Sequence, residues 1–161
     1  MQKEYKINQV NPSKGALDFS YLLDAPAGKH GFVQAKNGHL YYEDGTRARF
    51  LGFNMATRSN AVNHELAEKL AGRFASLGVN VIRLHAADAP IGEQERSWSS
   101  CKEAPLLDYE KGTSRFFHPE GLDRFDYFVA KLKEKGIYIH IDLIVAREFL
   151  LGDELDYDTK V

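Results

Sequence analysis

The sequence predicts an α/β fold with a parallel sheet, and three observations support this. Two stretches with a helical spacing of apolar residues each lead, through a single glycine, into a short apolar run typical of a strand. Strands therefore alternate with helices, an order that produces parallel strands joined by crossover helices. The connections from strand to helix are long, whereas those from helix to strand are a single glycine.

Composition limits the possible functions before any motif is considered. The 161 residues are 43% hydrophobic and 27% charged, with a net charge of −2, as in ordinary globular proteins. This near-neutral charge disfavours nucleic acid or an anionic membrane as a partner. The lone cysteine, Cys101, excludes an intrachain disulfide and a cysteine-based zinc site. No apolar run could span a membrane, and the polar residues 1–15 contain no signal peptide, which leaves a cytoplasmic protein or a secreted one with a trimmed leader.

For the first part of the chain, the sequence predicts an N-terminal extension over residues 1–30, followed by a β-hairpin. Residues 31–54 have the pattern of three short strands. The dipeptides Asn37-Gly38 and Asp44-Gly45 separate them, and both are typical of tight turns that need positive φ. We expect residues 31–161 to form one unit, in which the hairpin precedes the strands and helices of the parallel sheet.

Two amphipathic helices follow, one from an Asn63 cap to Gly78 and one from Pro119 to Lys135. Apolar positions recur along each at helical spacing and are expected to face the core. They are Leu66, Leu70, Phe74 and Leu77 in the first helix, and Leu122, Phe125, Val129 and Leu132 in the second. Glycines end both helices, since a C′ residue often needs positive φ.

A strand follows each helix, over 79–85 and 137–145. Because side chains alternate between the two faces of a strand, each face can be examined separately. One face of 137–145 is apolar throughout and suits a covering layer of helices. The opposite faces collect the polar side chains: Asn54 on the strand before the first helix, Arg83 and His85 on the next strand, and His140 and Asp142 on the last.

These polar side chains lie close to the carboxyl ends of the predicted strands. The long connections 55–62 and 86–118 begin at the same ends. In α/β barrels such connections form the active site at the C-terminal face of the sheet. The sequence therefore predicts a site at this edge, with Arg83 and Asp142 as neighbours facing the same side.

Common catalytic motifs are missing from the sequence. It contains no G-x-S-x-G, no P-loop, no G-x-G-x-x-G and no H-E-x-x-H. The sequence therefore predicts no metal and no organic cofactor.

Three segments resemble the opening of a clan A glycoside hydrolase, close to glycoside hydrolase family 5, the cellulase-like family. They are RFLGFN (49–54), RFASLGVNVIRLH (73–85) and LDRFDYFVAKLKEKGIYIHIDL (122–143). The matching positions are Gly52, Asn54, Gly78, Asn80, Arg83, Gly136, Ile137, Asp142 and Leu143. The resemblance, which spans 31–145, implies a (β/α)8 TIM barrel, retaining hydrolysis of a β-linked oligo- or polysaccharide, and Arg83 in the cleft near the nucleophile.

The sequence departs from the family pattern in two ways. The family's histidine after Asp-Leu is Ile144 here, and His85 is a candidate to replace it. The family's catalytic glutamates follow the fourth and seventh strands, the acid/base in an Asn-Glu pair, and no Asn-Glu dipeptide occurs here. We therefore expect about three β/α units of the barrel after the hairpin, with the catalytic glutamates outside this chain. The remaining strands would come from the parent protein, another chain or a self-associated copy.

The resemblance gives the site residues their expected roles. Substrate binding is predicted for Asn54, Arg83, His85, Asp88 and Trp98, and structural support for Asp142 and His140. Arg83 also fits a purely structural ion pair, and Trp98 either a platform for a sugar ring or an anchor for its own loop. Only four carboxylates in the loops could stand in for the missing glutamates: Asp88, Glu93, Glu95 and Glu148. We expect the chain alone to be inactive.

Two other functions remain open from the sequence. One is a non-catalytic carbohydrate-binding or assembly module. The other is a different α/β-barrel enzyme acting on sugars or acids, which a metal bound among His85, Asp88 and His140 would favour.

Overall fold

The computed structural model describes residues 17–90 and 104–155. Within them the chain forms five strands and two α-helices. In chain order these are β1 (Gln34–Lys36), β2 (His39–Tyr41), β3 (Gly52–Ala56), α1 (His64–Ser76), β4 (Val81–His85), α2 (Pro119–Glu134) and β5 (Tyr138–Ile141).

The parallel sheet has the strand order β3-β4-β5. Both neighbouring pairs are parallel, and each connection passes through one helix, so the α/β class predicted from the alternating pattern is confirmed. Strands β1 and β2 pair antiparallel in a separate two-stranded sheet. Asn37 and Gly38 join them with φ values of 50° and 75°, the positive values that a two-residue turn needs.

Both helices begin and end at the signals in the sequence. The Asn63 side chain accepts a hydrogen bond from the Leu66 N–H at 2.9 Å and caps α1. At α2 the cap is His118, whose Nδ1 accepts from the Gly121 N–H at 3.2 Å. Gly78 and Gly136 follow the helices with φ of 73° and 81°. These local signals fix the helix ends without help from the rest of the fold.

The core lies between the sheet and the two helices, which pack against each other. Its fully buried side chains include Ile82 and Leu84 of β4 and Phe128 and Leu132 of α2. The expected stripe of α1 is partly wrong, because Leu66 and Leu77 are exposed while Ala67 and Ala71 are buried.

In α2 the fully buried residue Phe128 was not in the expected stripe, and Leu122 and Val129 are only half-buried. Alternation along the predicted strand 79–85 would place Val79 on the same face as Arg83 and His85, but Val79 is buried in the core. It lies before β4, where its N–H bonds to the Phe74 carbonyl at 3.1 Å rather than to a neighbouring strand. The alternation of faces therefore begins two residues later than the sequence suggested.

The last strand is shorter than predicted. The expected strand 137–145 pairs only over Tyr138–Ile141, and its apolar face is buried only at Ile137. Beyond it the carboxylate of Asp88 accepts the N–H groups of Val145 and Ala146 at 2.8 and 3.1 Å. These hydrogen bonds hold the segment as a loop instead of a strand.

Large apolar side chains remain exposed at both open sides of the sheet. They include Leu51 just before β3 and Phe53 within it, and Ile141 at the end of β5 with Leu143, Ile144 and Val145 after it. A groove of about 400 Å³ between residues 27–33, α2 and β5 is also mainly apolar, with Val129, Ile137 and Ile139 in its lining. Exposed patches of this extent are typical of surfaces that pack against further protein. Within the described residues no helix is long and apolar enough to cross a membrane.

Candidate functional site

Three neighbouring strands bring polar side chains into one row. Asn54 of β3 pairs in register with Arg83 of β4, and Arg83 pairs with His140 of β5. All three line one shallow pocket of about 250 Å³. Since the helices cover the opposite face, the polar row faces away from them, as the alternation of the strands predicts.

Arg83 and Asp142 form an ion pair with two contacts. Arg83 Nε donates to Asp142 Oδ1 at 3.0 Å, and Nη2 donates to Oδ2 at 2.8 Å. Arg83 Nη1 also donates to Asn54 Oδ1 at 3.4 Å. The predicted neighbourhood of Arg83 and Asp142 is therefore confirmed, and the guanidinium links the middle of β3 and β4 to the residue that follows β5.

His85 completes this cluster, since its Nδ1 lies 2.6 Å from Asp142 Oδ2. The hydrogen bonds from His85 and then from Arg83 hold the pKa of Asp142 below its usual range. Asp142 is thus a carboxylate that binds two side chains of β4 at once. We refer to Asn54, Arg83, His85 and Asp142 as the polar cluster.

Asn60 also supports the site, although it is not among the residues predicted from the sequence. It lies in the short 3-10 helix Thr57–Asn60 after β3 and is 1% exposed. Its Nδ2 donates to the His85 carbonyl oxygen at 2.8 Å, next to Ala86, whose φ is 51°. Asn60 thereby holds the end of β4 where the chain turns away from the sheet. Nothing periodic in the sequence marks such a residue.

Asp88 lies next to the polar cluster, and its observed contacts are structural. One carboxylate oxygen accepts the Val145 N–H and the other the Ala146 N–H, and the side chain is 9% exposed. The Asp88 carbonyl accepts from the Tyr109 hydroxyl at 2.8 Å. Asp88 thus fastens the segment after β5 to the connection after β4, and sugar binding by Asp88 remains a prediction.

The two connections are also joined around Asp153. Its buried carboxylate accepts from the Thr113 hydroxyl at 2.7 Å and from the Ser114 hydroxyl at 2.9 Å. Burial alone would raise the pKa of Asp153, but the hydrogen bonds from the Leu150 N–H, Thr113 and Ser114 outweigh it and hold the pKa far below its usual range. Arg147 adds a hydrogen bond from Nε to the Ser114 hydroxyl at 2.8 Å. Asp153 and Arg147 therefore tie the connection after β4 to the segment after β5.

Of the remaining predicted residues, the structure describes some and not others. His140 is exposed and shares the pocket with Arg83. Trp98, Glu93 and Glu95 lie outside the described residues. In the part of the chain that is described, no three His, Cys, Asp or Glu side chains are grouped so that they could hold a metal ion.

Comparisons with known proteins extend this picture. No family model and no curated protein matches the sequence. A crystal structure of a glycoside hydrolase family 5 protein from Bacteroides vulgatus ATCC 8482 covers 74% of this chain and 26% of its own, with a TM-score of 0.50 and 14% identity. This chain is similar in fold to glycoside hydrolase family 5. A second structure, of a glycoside hydrolase, covers the same shares with a TM-score of 0.49 and 18% identity.

The similarity confirms, at the level of the fold, the family resemblance that the sequence motifs predicted. It also sets a limit, because the chain spans about a quarter of the length of the structures it matches. The mixed α/β architecture with a parallel sheet is shared with the Bacteroides vulgatus structure.

Proposed function

We propose that this chain is the N-terminal portion of a retaining glycoside hydrolase that acts on a β-linked oligo- or polysaccharide. One observation carries the proposal: the polar cluster extends from Asn54 and Arg83, in the middle of β3 and β4, to His85 at the end of β4 and Asp142 just after β5. It therefore opens toward the carboxyl end of the parallel strands, where α/β barrels hold their active sites. The fold similarity to glycoside hydrolase family 5 supports the same conclusion.

The rest of a (β/α)8 barrel would complete the sheet. Such a barrel needs about 250 residues, and the exposed apolar side chains beside β3 and β5 are where further strands would pack. The two catalytic glutamates would lie on those strands, with their carboxyl groups about 5–5.5 Å apart for double displacement. We propose the parent protein as the source of the strands, rather than another chain or a second copy.

Each predicted site residue has a proposed role in that enzyme. Arg83, fixed by Asp142, would hold the nucleophilic glutamate and stabilise its charge. Asn54 and His85 would bind sugar hydroxyls. His85 would take over the role of the family's histidine, whose position Ile144 occupies in this chain. Asp88 and Trp98 would line the cleft, Asp88 near its wall and Trp98 as a ring platform, while His140 would support the row beneath.

The test is an assay of the complete protein on a panel of β-linked oligosaccharides, with the product anomer followed by NMR. We expect hydrolysis with retention of configuration. Arg83→Ala should lower kcat/KM about 10²-fold or more, the usual loss when one electrostatic contact to a transition state is removed.

Arg49→Ala is the matched control, since Arg49 is exposed and precedes β3 at the opposite end of the sheet. It should leave kcat/KM unchanged. Binding of sugars without hydrolysis would favour a non-catalytic carbohydrate-binding module instead. Hydrolysis with inversion would contradict the retaining mechanism.

A further inference from the structure

Asp142 receives more hydrogen bonds than any other group of the polar cluster. Both of its oxygens accept from Arg83, and Oδ2 also accepts at His85 Nδ1. An ionised carboxylate offers only acceptors. Its side chain is 10% exposed, so water cannot easily replace these three donors.

This arrangement decides which ring nitrogen of His85 carries a proton. At 2.6 Å from a carboxylate oxygen, Nδ1 has to donate. In a neutral imidazole the other nitrogen is then an acceptor without a hydrogen. Among residues 17–90 and 104–155, none makes a hydrogen bond to Nε2, and a quarter of the side chain is exposed.

The neighbouring side chains offer hydrogen-bond donors, whereas His85 Nε2 is an acceptor. Asn54 uses Oδ1 to accept from Arg83 Nη1, which leaves its Nδ2 as a donor. The guanidinium of Arg83 has only donors. The polar cluster therefore presents donors at Asn54 and Arg83 and one acceptor at His85.

We infer that Asp142 locks His85 in the Nδ1–H tautomer, so that Nε2 accepts a hydrogen bond from a hydroxyl group of the bound sugar. The inference rests on the proposed function for the identity of the ligand, but not for the tautomer. A hydroxyl can donate to Nε2 while its neighbour accepts from Asn54 or Arg83. A carboxylate in that position, as on an acidic sugar, has no proton to donate and leaves Nε2 of a neutral His85 unpaired, so it could pair there only with a doubly protonated ring. Asp142 is thus a positioning residue, and His85 selects for hydroxyl groups.

The tautomer is measured from the side-chain ¹⁵N shifts of His85 at the alkaline end of an NMR titration. We expect Nδ1 to be protonated in the unmodified protein. Asp142→Asn should reverse this: Arg83 needs the amide oxygen, so the amide NH₂ faces Nδ1 and moves the proton to Nε2, as in the tautomer change known for serine-protease triads. Asp123→Asn removes the carboxylate that lies 2.9 Å from His64 and should leave His85 unchanged.

An Nε2–H tautomer in the unmodified protein overturns the inference, whether or not Asp142→Asn folds. An unchanged tautomer in a folded Asp142→Asn variant also overturns it.

Kinetics of the complete enzyme test the acceptor role. His85→Leu should raise KM for an uncharged β-linked oligosaccharide about three- to tenfold, which corresponds to one neutral hydrogen bond. His85→Gln, whose amide oxygen can accept, should recover part of the loss. Equal KM values in all three proteins would contradict the acceptor role. If no oligosaccharide is hydrolysed, the proposed function fails, and the ¹⁵N measurement still decides whether Asp142 sets the tautomer.

Discussion

Arg83 and Asp142 hold each other through two hydrogen bonds, at 3.0 and 2.8 Å, from the middle of β4 to the residue that follows β5. The Arg83 side chain is 39% exposed whereas that of Asp142 is 10% exposed. A pair with one partner this open to water adds little to stability. Its main effect is to orient the guanidinium, and that orientation matters for function.

Arg83→Lys should therefore fail to preserve function although it keeps the charge. A lysine has no planar fork and cannot contact both oxygens of Asp142 and Asn54 together. We expect kcat/KM of the complete enzyme to fall to within about tenfold of the Arg83→Ala value, with only a small change in Tm. Arg49→Lys is the control at the opposite end of the sheet. Full activity in Arg83→Lys would show that charge alone is sufficient.

Replacing two helical glycines by alanine should change the free energy of unfolding in opposite directions. A Cβ on Gly121 of α2 would lie 1.8 Å from the Pro105 carbonyl oxygen, whereas one on Gly72 of α1 would meet nothing within 4 Å. Gly121→Ala should lower the free energy of unfolding by about 1–3 kcal/mol through overpacking. Gly72→Ala should raise it by about 0.5–1 kcal/mol through helix propensity. Urea denaturation of both variants measures this, and equal shifts would mean that the approach of Pro105 to α2 is wrong.

Phe128 should be the most sensitive position of the core. It is 0% exposed and lies between α2 and the sheet. Phe128→Ala should cost about 3–5 kcal/mol of unfolding free energy, the range for removing a buried aromatic side chain. Leu17→Ala is the control at an 80% exposed apolar residue and should change it by about 0.5 kcal/mol or less. A loss at Phe128 no larger than at Leu17 would place Phe128 outside the core.

The tie at Asp153 should depend on pH. Because its pKa is lowered in the folded state, its contribution to stability is present above the unfolded pKa of about 3.9 and is lost as the pH falls through the folded value. The Tm difference between the unmodified protein and Asp153→Asn should be largest above about pH 5 and should shrink below about pH 4. Thermal unfolding followed from above pH 5 to well below pH 4 measures it, and a constant difference would show that folding does not lower the pKa of Asp153.

The polar cluster was predictable because it depends on alternation within strands. The spacing of Arg83 and His85, and the position of Asp142 two residues past His140, place these side chains on one face whatever the rest of the chain does. The helix ends were predictable for a similar reason, since Asn63 and Gly78 act on their own neighbours.

The contacts that the sequence could not predict depend on the paths of loops. Asn60 reaches the end of β4, and Asp153 reaches Thr113, across long stretches of chain with no repeating pattern. The buried face of α1 was misjudged because close packing against α2 favours Ala67 and Ala71 over the larger Leu66. In α1, packing against the rest of the fold therefore determines that the face with Ala67 and Ala71 is buried and the face with Leu66 is exposed.

The position of a bound sugar would show whether the polar cluster lines the substrate cleft. We would determine the structure of the complete protein, with its nucleophile removed, bound to an oligosaccharide that the active enzyme hydrolyses. We expect a sugar ring at the carboxyl ends of β3 and β4, with hydroxyl groups within hydrogen-bond distance of His85 and of Asn54 or Arg83. A sugar bound instead at the opposite end of the sheet, in the pocket lined by Tyr42, Arg49 and Tyr138, would contradict it.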